Sequence, residues 1–148
     1  MLNYRLVHLY CVDGTNVVRV FWGYAAEFRE QEESDCATLV EAFGVLCRNL
    51  AGRIEVELFF DGQDRRLPRT PVQPANLRVR FGREDSSDGL ILDRVRAQSW
   101  KGGGGVAVVT GDAGLGAQAE AEGGKWLRIR PGQQFDGLLR SIERRFNK

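Results

Sequence analysis

The chain has 148 residues, which is the size of one domain, and 43% of them are hydrophobic, which is enough to form a core. It carries 21 basic and 20 acidic residues, so its net charge of +1 excludes a polycation that binds nucleic acid through bulk charge. A nucleic-acid partner would need a local basic patch or a bound metal ion.

The three cysteines, Cys11, Cys36 and Cys47, form no CxxC pair, and His8 is the only histidine. These residues are too few and too widely spaced for a structural zinc site. We interpret the cysteines as reduced, mostly buried thiols of a cytoplasmic protein. No run of about 18 apolar residues occurs, so neither a membrane span nor a signal peptide is expected.

The first third of the chain begins with a continuous apolar run over residues 6–12, which predicts a strand covered on both faces. Residues 17–24 are ambiguous and fit a short helical stretch followed by a loop. Ser34 or Asp35 is the predicted N-cap of the next helix, whose apolar residues recur at helical spacing up to Gly52.

The middle of the chain predicts a second strand, Ile54–Phe60, which is followed by Asp61 and Gly62. Residues 63–76 are rich in proline and arginine and predict an exposed loop. A short third strand, Leu77–Phe81, comes next. Residues 85–98 then predict a helix that opens on acidic and serine residues.

The last third predicts a fourth strand, Val106–Thr110, a helix over 113–122, a fifth strand over 126–129 and a closing helix, Phe135–Phe146. Strands that alternate with helices through short connections predict an α/β fold with a parallel sheet covered on both faces. No repeat or interdomain linker occurs, so residues 1–148 are interpreted as a single domain.

Three strands are followed by an aspartate. Asp13 ends the first strand, Asp61 the second and Asp112 the fourth, and Asp88 lies in the first turn of the helix after the third. In a parallel sheet the functional site lies beyond the carboxyl ends of the strands. Aspartates on neighbouring strands would lie side by side at a strand spacing of ~4.8 Å.

Each aspartate alone also has a purely structural explanation. Asp13 and Asp61 precede glycine and are typical of turns, Asp88 would favour a helix dipole, and Asp112 would cap a helix. A cluster of four carboxylates, however, repels itself and raises its own pKa values unless a cation is bound. Oxygen ligands without histidine or cysteine favour Mg²⁺ or Mn²⁺.

Four blocks of the sequence resemble the NYN domains of the PIN-like nuclease superfamily, and within it the YacP-like endoribonucleases. The blocks are Val12-Asp13-Gly14-Thr15-Asn16-Val17, Phe59-Phe60-Asp61-Gly62, Ser87-Asp88 with Leu90-Ile91, and Val109-Thr110-Gly111-Asp112. The resemblance implies a three-layer PIN-like (Rossmann-like) fold with a central parallel sheet in the order 3-2-1-4-5. It also implies RNA cleavage that depends on Mg²⁺ or Mn²⁺.

The resemblance assigns catalytic and metal-binding roles to the four matched acids, Asp13, Asp61, Asp88 and Asp112, and makes Asn16 their polar partner. Two positions depart from the family pattern. Gly89 stands where relatives often carry a second acid, and Gly111 replaces a hydroxyl residue. Asp93, one helical turn further on, either restores a carboxylate or is a surface acid.

RNA contacts are predicted for residues that come before and after the second strand in the sequence. Arg19 and Trp22 would hold a phosphate and stack on an unpaired base, although Trp22 could instead pack on the sheet. Arg65, Arg66 and Arg69 would follow the RNA backbone. Alternating arginines on the third strand either extend this patch or form a solvated strand face.

Two functions remain open. The first is a metal-dependent endoribonuclease that hydrolyses phosphodiester bonds in single-stranded RNA. The second is a catalytically weak or inactive relative that binds RNA or protein. The resemblance also leaves open an association with the ribosome or with RNA processing, while no membrane partner is expected and the oligomeric state is undetermined.

Overall fold

The computed structural model describes residues 7–22, 29–62, 73–83, 86–101 and 105–146. Its strands and helices alternate along the chain. In order they are β1 (His8–Asp13), α1 (Gly14–Trp22), α2 (Arg29–Asn49), β2 (Ile54–Phe60), β3 (Leu77–Phe81), α3 (Asp88–Lys101), β4 (Val106–Thr110), α4 (Ala113–Ala121), β5 (Lys125–Arg128) and α5 (Phe135–Phe146).

The five strands form one parallel sheet in the order β3-β2-β1-β4-β5. This confirms the predicted α/β fold and strand order. β1 is central, and its residue Val12 is level with Leu58 of β2 and with Val109 of β4. The carboxyl ends of these three strands therefore lie at the same edge of the sheet.

Helices cover both faces of the sheet, which explains the unbroken apolar runs of the central strands. Tyr10 and Val12 pack in a core cluster with residues of α1, α2 and α5. Leu9 and Cys11 point to the other face, where they pack with residues of α3 and α4. All three cysteines are buried free thiols, as expected. Within the described ranges, no helix has the length and apolarity that a membrane span requires.

The predicted start of α2 was wrong. The helix begins at Arg29, so Ser34 and Asp35 lie within it and neither is its N-cap. The buried stripe of the helix continues upstream of Leu39 through Asp35 and Glu32, which are polar but almost fully buried. Because these residues are charged, hydrophobic periodicity did not reveal that they belong to the helix.

Other boundaries differ by a few residues. The ambiguous segment after β1 is a helix that begins at once on Gly14, and α3 continues to Lys101, three residues past the predicted end. A β-carbon at Gly14 would lie 2.6 Å from a ring carbon of Phe60, so only glycine lets α1 start this close to β2. Of the predicted 63–76 loop, residues 63–72 lie outside the described ranges.

Candidate active site

Asp13 is the most buried acid at the carboxyl edge of the sheet, with 5% of its surface exposed. Its Oδ2 accepts a hydrogen bond from Thr110 Oγ1 at 2.9 Å, and the backbone N–H of Asn16 donates to the same carboxylate. The pKa of Asp13 is raised from 3.8 to about 7: burial is the main cause, the charges of Asp88 and Asp61 add to the increase, and the two hydrogen bonds oppose it.

Asp61 is held between the starts of two helices. Its Oδ1 accepts hydrogen bonds from the backbone nitrogen of Ser87 at 2.7 Å and from Ser87 Oγ at 2.9 Å. Its own backbone N–H donates to Thr15 Oγ1, in the first turn of α1, at 2.8 Å. These contacts join the end of β2 to α1 and to the residue that precedes α3, and they fix the carboxylate in place.

Asp88 is the first residue of α3 and is partly buried. Burial raises its pKa, and the negative charges of Asp112 and Asp61 raise it as well. Asp13 is affected by Asp61 and Asp88 in the same way. The charges of Asp61, Asp88 and Asp112 therefore act on the pKa of Asp13 or of Asp88, although the four acids come from four separate segments of the chain.

Asp112 is the N-cap of α4, which was one of its two predicted roles. Its Oδ1 accepts hydrogen bonds from the backbone nitrogens of Gly114 at 2.9 Å and Leu115 at 3.2 Å. Both bonds use the same oxygen, so capping engages one of its two carboxylate oxygens. Capping and metal binding can therefore coexist on this side chain.

Thr110, which sequence reasoning missed, connects the acids of β1 and β4. Its hydroxyl donates to Asp13 Oδ2 and accepts from the backbone N–H of Asp112 at 3.1 Å. The oxygen of Asn16 lies 3.4 Å from the same hydroxyl, a longer contact, and accepts from the backbone N–H of Gly111 at 2.7 Å. Because a hydroxyl carries one hydrogen, we assign it to the shorter bond with Asp13.

Thr15 and Ser87, like Thr110, were not predicted as site residues. Each is a hydroxyl residue next to, or two positions from, a predicted acid, and all three lie inside the four blocks that carry the family resemblance. Their position beside the acids was the only available signal. Which acid each hydroxyl contacts depends on how distant segments meet in the fold.

Gly111 and Gly89, the two glycines that depart from the family pattern, have different surroundings. A β-carbon at Gly111 would lie 3.2 Å from Asn16 Oδ1 and 3.2 Å from the carbonyl oxygen of Ile129, so a side chain would crowd the hydrogen-bond network. A β-carbon at Gly89 would meet nothing within 4 Å. Asp93 is a surface acid, 73% exposed and paired with Arg96 at 3.0 Å.

The donor chemistry of the site fits a hard divalent ion, because the predicted ligands are carboxylates whose mutual repulsion a cation would relieve. Their arrangement fits less closely. Across the described ranges, no group of three or more His, Cys, Asp or Glu side chains is arranged to hold a metal ion. Asp13, Asp61 and Asp112 instead accept hydrogen bonds from protein groups.

The structure describes only two of the residues predicted to contact RNA, Arg19 and Trp22. Arg65, Arg66 and Arg69 lie outside the described residues. Arg19 forms an ion pair at 3.7 Å with the buried Glu32, while its own side chain is half exposed. Trp22 packs against the core, with its ring centroid 5.3 Å from that of Phe135, as the packing alternative expected.

Comparison with known proteins shows which solved structures share this fold. No protein-family model matches the chain, and no curated protein matches it. Two crystal structures of Rae1 (YacP) from Bacillus subtilis share its architecture. One, of a single-substitution mutant, has a TM-score of 0.64 and 18% identity over 95% of this chain and 80% of that chain. The other has a TM-score of 0.58 and 18% identity, over 94% and 77% respectively. The expected YacP-like fold is therefore confirmed.

Proposed function

We propose that this protein is a YacP-like NYN-domain endoribonuclease that hydrolyses phosphodiester bonds in single-stranded RNA with Mg²⁺ or Mn²⁺. The observation that carries the proposal is that the negative charges of Asp61, Asp88 and Asp112 raise the pKa of Asp13 or of Asp88, which brings the four predicted acids near one another. They meet at the edge of a parallel sheet where ligands bind in this class of fold. The fold shared with Rae1 (YacP) supports the same proposal.

Asp13, at the end of β1, and Asp112, which follows the adjacent strand β4, would hold the ion. When bound, a divalent ion stabilises negative charge on the attacked phosphate and lowers the pKa of a water molecule. Thr110 keeps Asp13 oriented through its hydroxyl and ties it to the backbone of Asp112. Asp112 would bind through the carboxylate oxygen that does not cap α4.

Asp61 and Asp88 would act on the attacking water. Asp61 is fixed by Ser87 and Thr15 and can accept a hydrogen bond from a water in a constant direction. Asp88 has a raised pKa, which makes its carboxylate a better proton acceptor than an ordinary aspartate. Asn16, oriented by the backbone of Gly111, would hold the geometry of the first strand end.

A second function is an RNA- or protein-binding relative with weak or no catalysis. Two observations favour it: the described acids form no ready group of three ligands, and Gly89 stands where relatives often carry an acid. Gly89→Asp separates the two functions, since the open space around Gly89 accepts a side chain. If the wild type is inactive and this variant cleaves RNA, the second function applies.

The decisive experiment measures cleavage of a labelled single-stranded RNA in Mn²⁺ and in chelator. Asp13→Asn should lower the rate by roughly a hundredfold or more, because an electrostatic contribution of several kcal/mol is lost. Asp93→Asn is the matched control, since it removes an exposed aspartate and should leave the rate unchanged. Cleavage that survives Asp13→Asn, or that is equal in chelator, would contradict the proposal.

A further inference from the structure

A second polar site lies on the face of the sheet to which Asp13 points. α3 packs on β1 and β4 on this face, and the side chains of β2 and β3 beside it line a cleft. The cleft encloses about 430 Å³. Its charged lining residues are Glu55, Glu57, Arg78, Arg80 and Arg94.

Glu57 forms the floor of the cleft and is 5% exposed. Arg94 of α3 donates from Nε to both oxygens of Glu57 at 3.2 Å, and Arg80 lies 3.9 Å from the same carboxylate. The guanidinium of Arg80 also lies 5.8 Å from the centre of the Phe59 ring. The charge of Glu57 is therefore balanced within the protein, and these contacts hold Arg80 in place.

Arg78 is the cation of the cleft that the described protein groups leave available. It is level with Glu57 in the sheet, exposed, and on the same face of β3 as Arg80. In the part of the chain that the structure describes, no ion pair or hydrogen bond engages its guanidinium. Glu55, which is also exposed, adds a negative charge to the lining of the cleft.

The cleft adjoins the candidate active site. Asp61 comes four positions after Glu57, which is about 13 Å at the usual rise of a strand. The acids at the edge of the sheet repel a phosphate backbone, so RNA that reaches them needs cations on a neighbouring surface.

We infer that this cleft binds backbone phosphates of single-stranded RNA next to the cleavage site. Arg78 and Arg80 contact the phosphates through their guanidinium groups, which match phosphate oxygens in geometry. Arg94 acts indirectly, as a positioning residue, through Glu57. This inference rests on the proposed function, because it takes RNA as the substrate.

The test measures binding of a labelled single-stranded RNA by fluorescence anisotropy over a series of salt concentrations, in chelator so that no cleavage occurs. For single strands log K falls as log salt rises, and each phosphate contact steepens this slope by about 0.7. Arg78→Ala should lower the magnitude of the slope by about 0.7, and the double variant with Arg80→Ala should lower it by about 1.4. Arg78→Lys should keep the wild-type slope, and Glu55→Gln should tighten binding.

Lys125→Ala is the matched control. Lys125 is exposed on β5, the opposite edge strand, one residue from the level of Arg78 in the sheet. Its removal takes away the same charge and should leave the slope unchanged. Thermal melts of each variant show whether it is folded, and Arg78, which is exposed, can be replaced without disturbing Glu57.

The outcomes separate this inference from the proposed function. If Arg78→Ala leaves the slope unchanged while the wild type still cleaves RNA, phosphate binding in the cleft is refuted and the proposed nuclease activity is supported. If the magnitude of the slope falls as expected but no cleavage occurs in Mn²⁺, phosphate binding in the cleft is supported and the proposed nuclease activity is refuted. If the wild type binds no single-stranded RNA, or if Lys125→Ala lowers the slope as much as Arg78→Ala, the cleft is refuted.

Discussion

Replacing Asp13 by asparagine tests the electrostatics of the site through stability alone. The pKa of Asp13 in the folded protein is about 7, above its ordinary value of 3.8, because the carboxylate is buried near other acids. The folded state therefore holds the proton more tightly than the unfolded state. The stability that this group contributes is complete below pH 3.8 and is lost as the pH rises through 7.

The expected size follows from the shift. Each pKa unit corresponds to about 1.4 kcal/mol, so ionisation of Asp13 lowers the free energy of unfolding by about 3 to 4 kcal/mol between pH 4 and pH 8. Asparagine keeps the shape and cannot ionise. Any fixed cost of the amide at this position is the same at both pH values, so it cancels when the two are compared.

The assay is urea denaturation of the wild type and of Asp13→Asn at pH 4 and pH 8 in chelator. The difference in stability between variant and wild type should move by about 3 to 4 kcal/mol in favour of the variant at pH 8. Asp93→Asn, on the surface, should show no such movement. A change below about 1 kcal/mol for Asp13→Asn would refute the claim that the folded protein raises the pKa of this carboxyl group.

Three further predictions concern the same edge of the sheet. Mn²⁺ at 100 times its Kd should stabilise the wild type by about 2.7 kcal/mol in thermal melts relative to chelator, and an equal gain in Asp13→Asn would place the ion elsewhere. Thr110→Val should cost about 1–3 kcal/mol in urea denaturation, because it leaves buried hydrogen-bond partners unpaired, whereas Thr110→Ser should cost less; equal losses would contradict this role. Gly14→Ala should destabilise the fold by about 1–3 kcal/mol, because its β-carbon would lie 2.6 Å from the Phe60 ring. Gly89→Ala, in a helix with open space around it, should stabilise the fold by about 0.5–1 kcal/mol. Thermal melts in which Gly14→Ala is the more stable variant would contradict both predictions.

The amino-acid sequence by itself determined the strands of this protein. β2, β3 and β4 have the predicted bounds. β4 is an uninterrupted apolar run because it is buried on both faces, whereas β3, at the edge of the sheet, alternates apolar residues with exposed arginines. The sequence also determined which acids end those strands. The order of the strands came from the family resemblance, because the alternation of strands and helices alone is compatible with several orders.

Only the tertiary structure decided how the acids are held and ionised. Thr110 and Asp13 lie 97 positions apart, and Ser87 and Asp61 lie 26 apart, so no local pattern shows that their side chains meet. The same holds for the buried Glu32 and for the cleft around Glu57, whose charges look like solvated surface in the sequence. Burial and hydrogen bonding between distant segments are properties of the folded chain, and they set the pKa of Asp13 because desolvation and neighbouring charges act only once the sheet has formed.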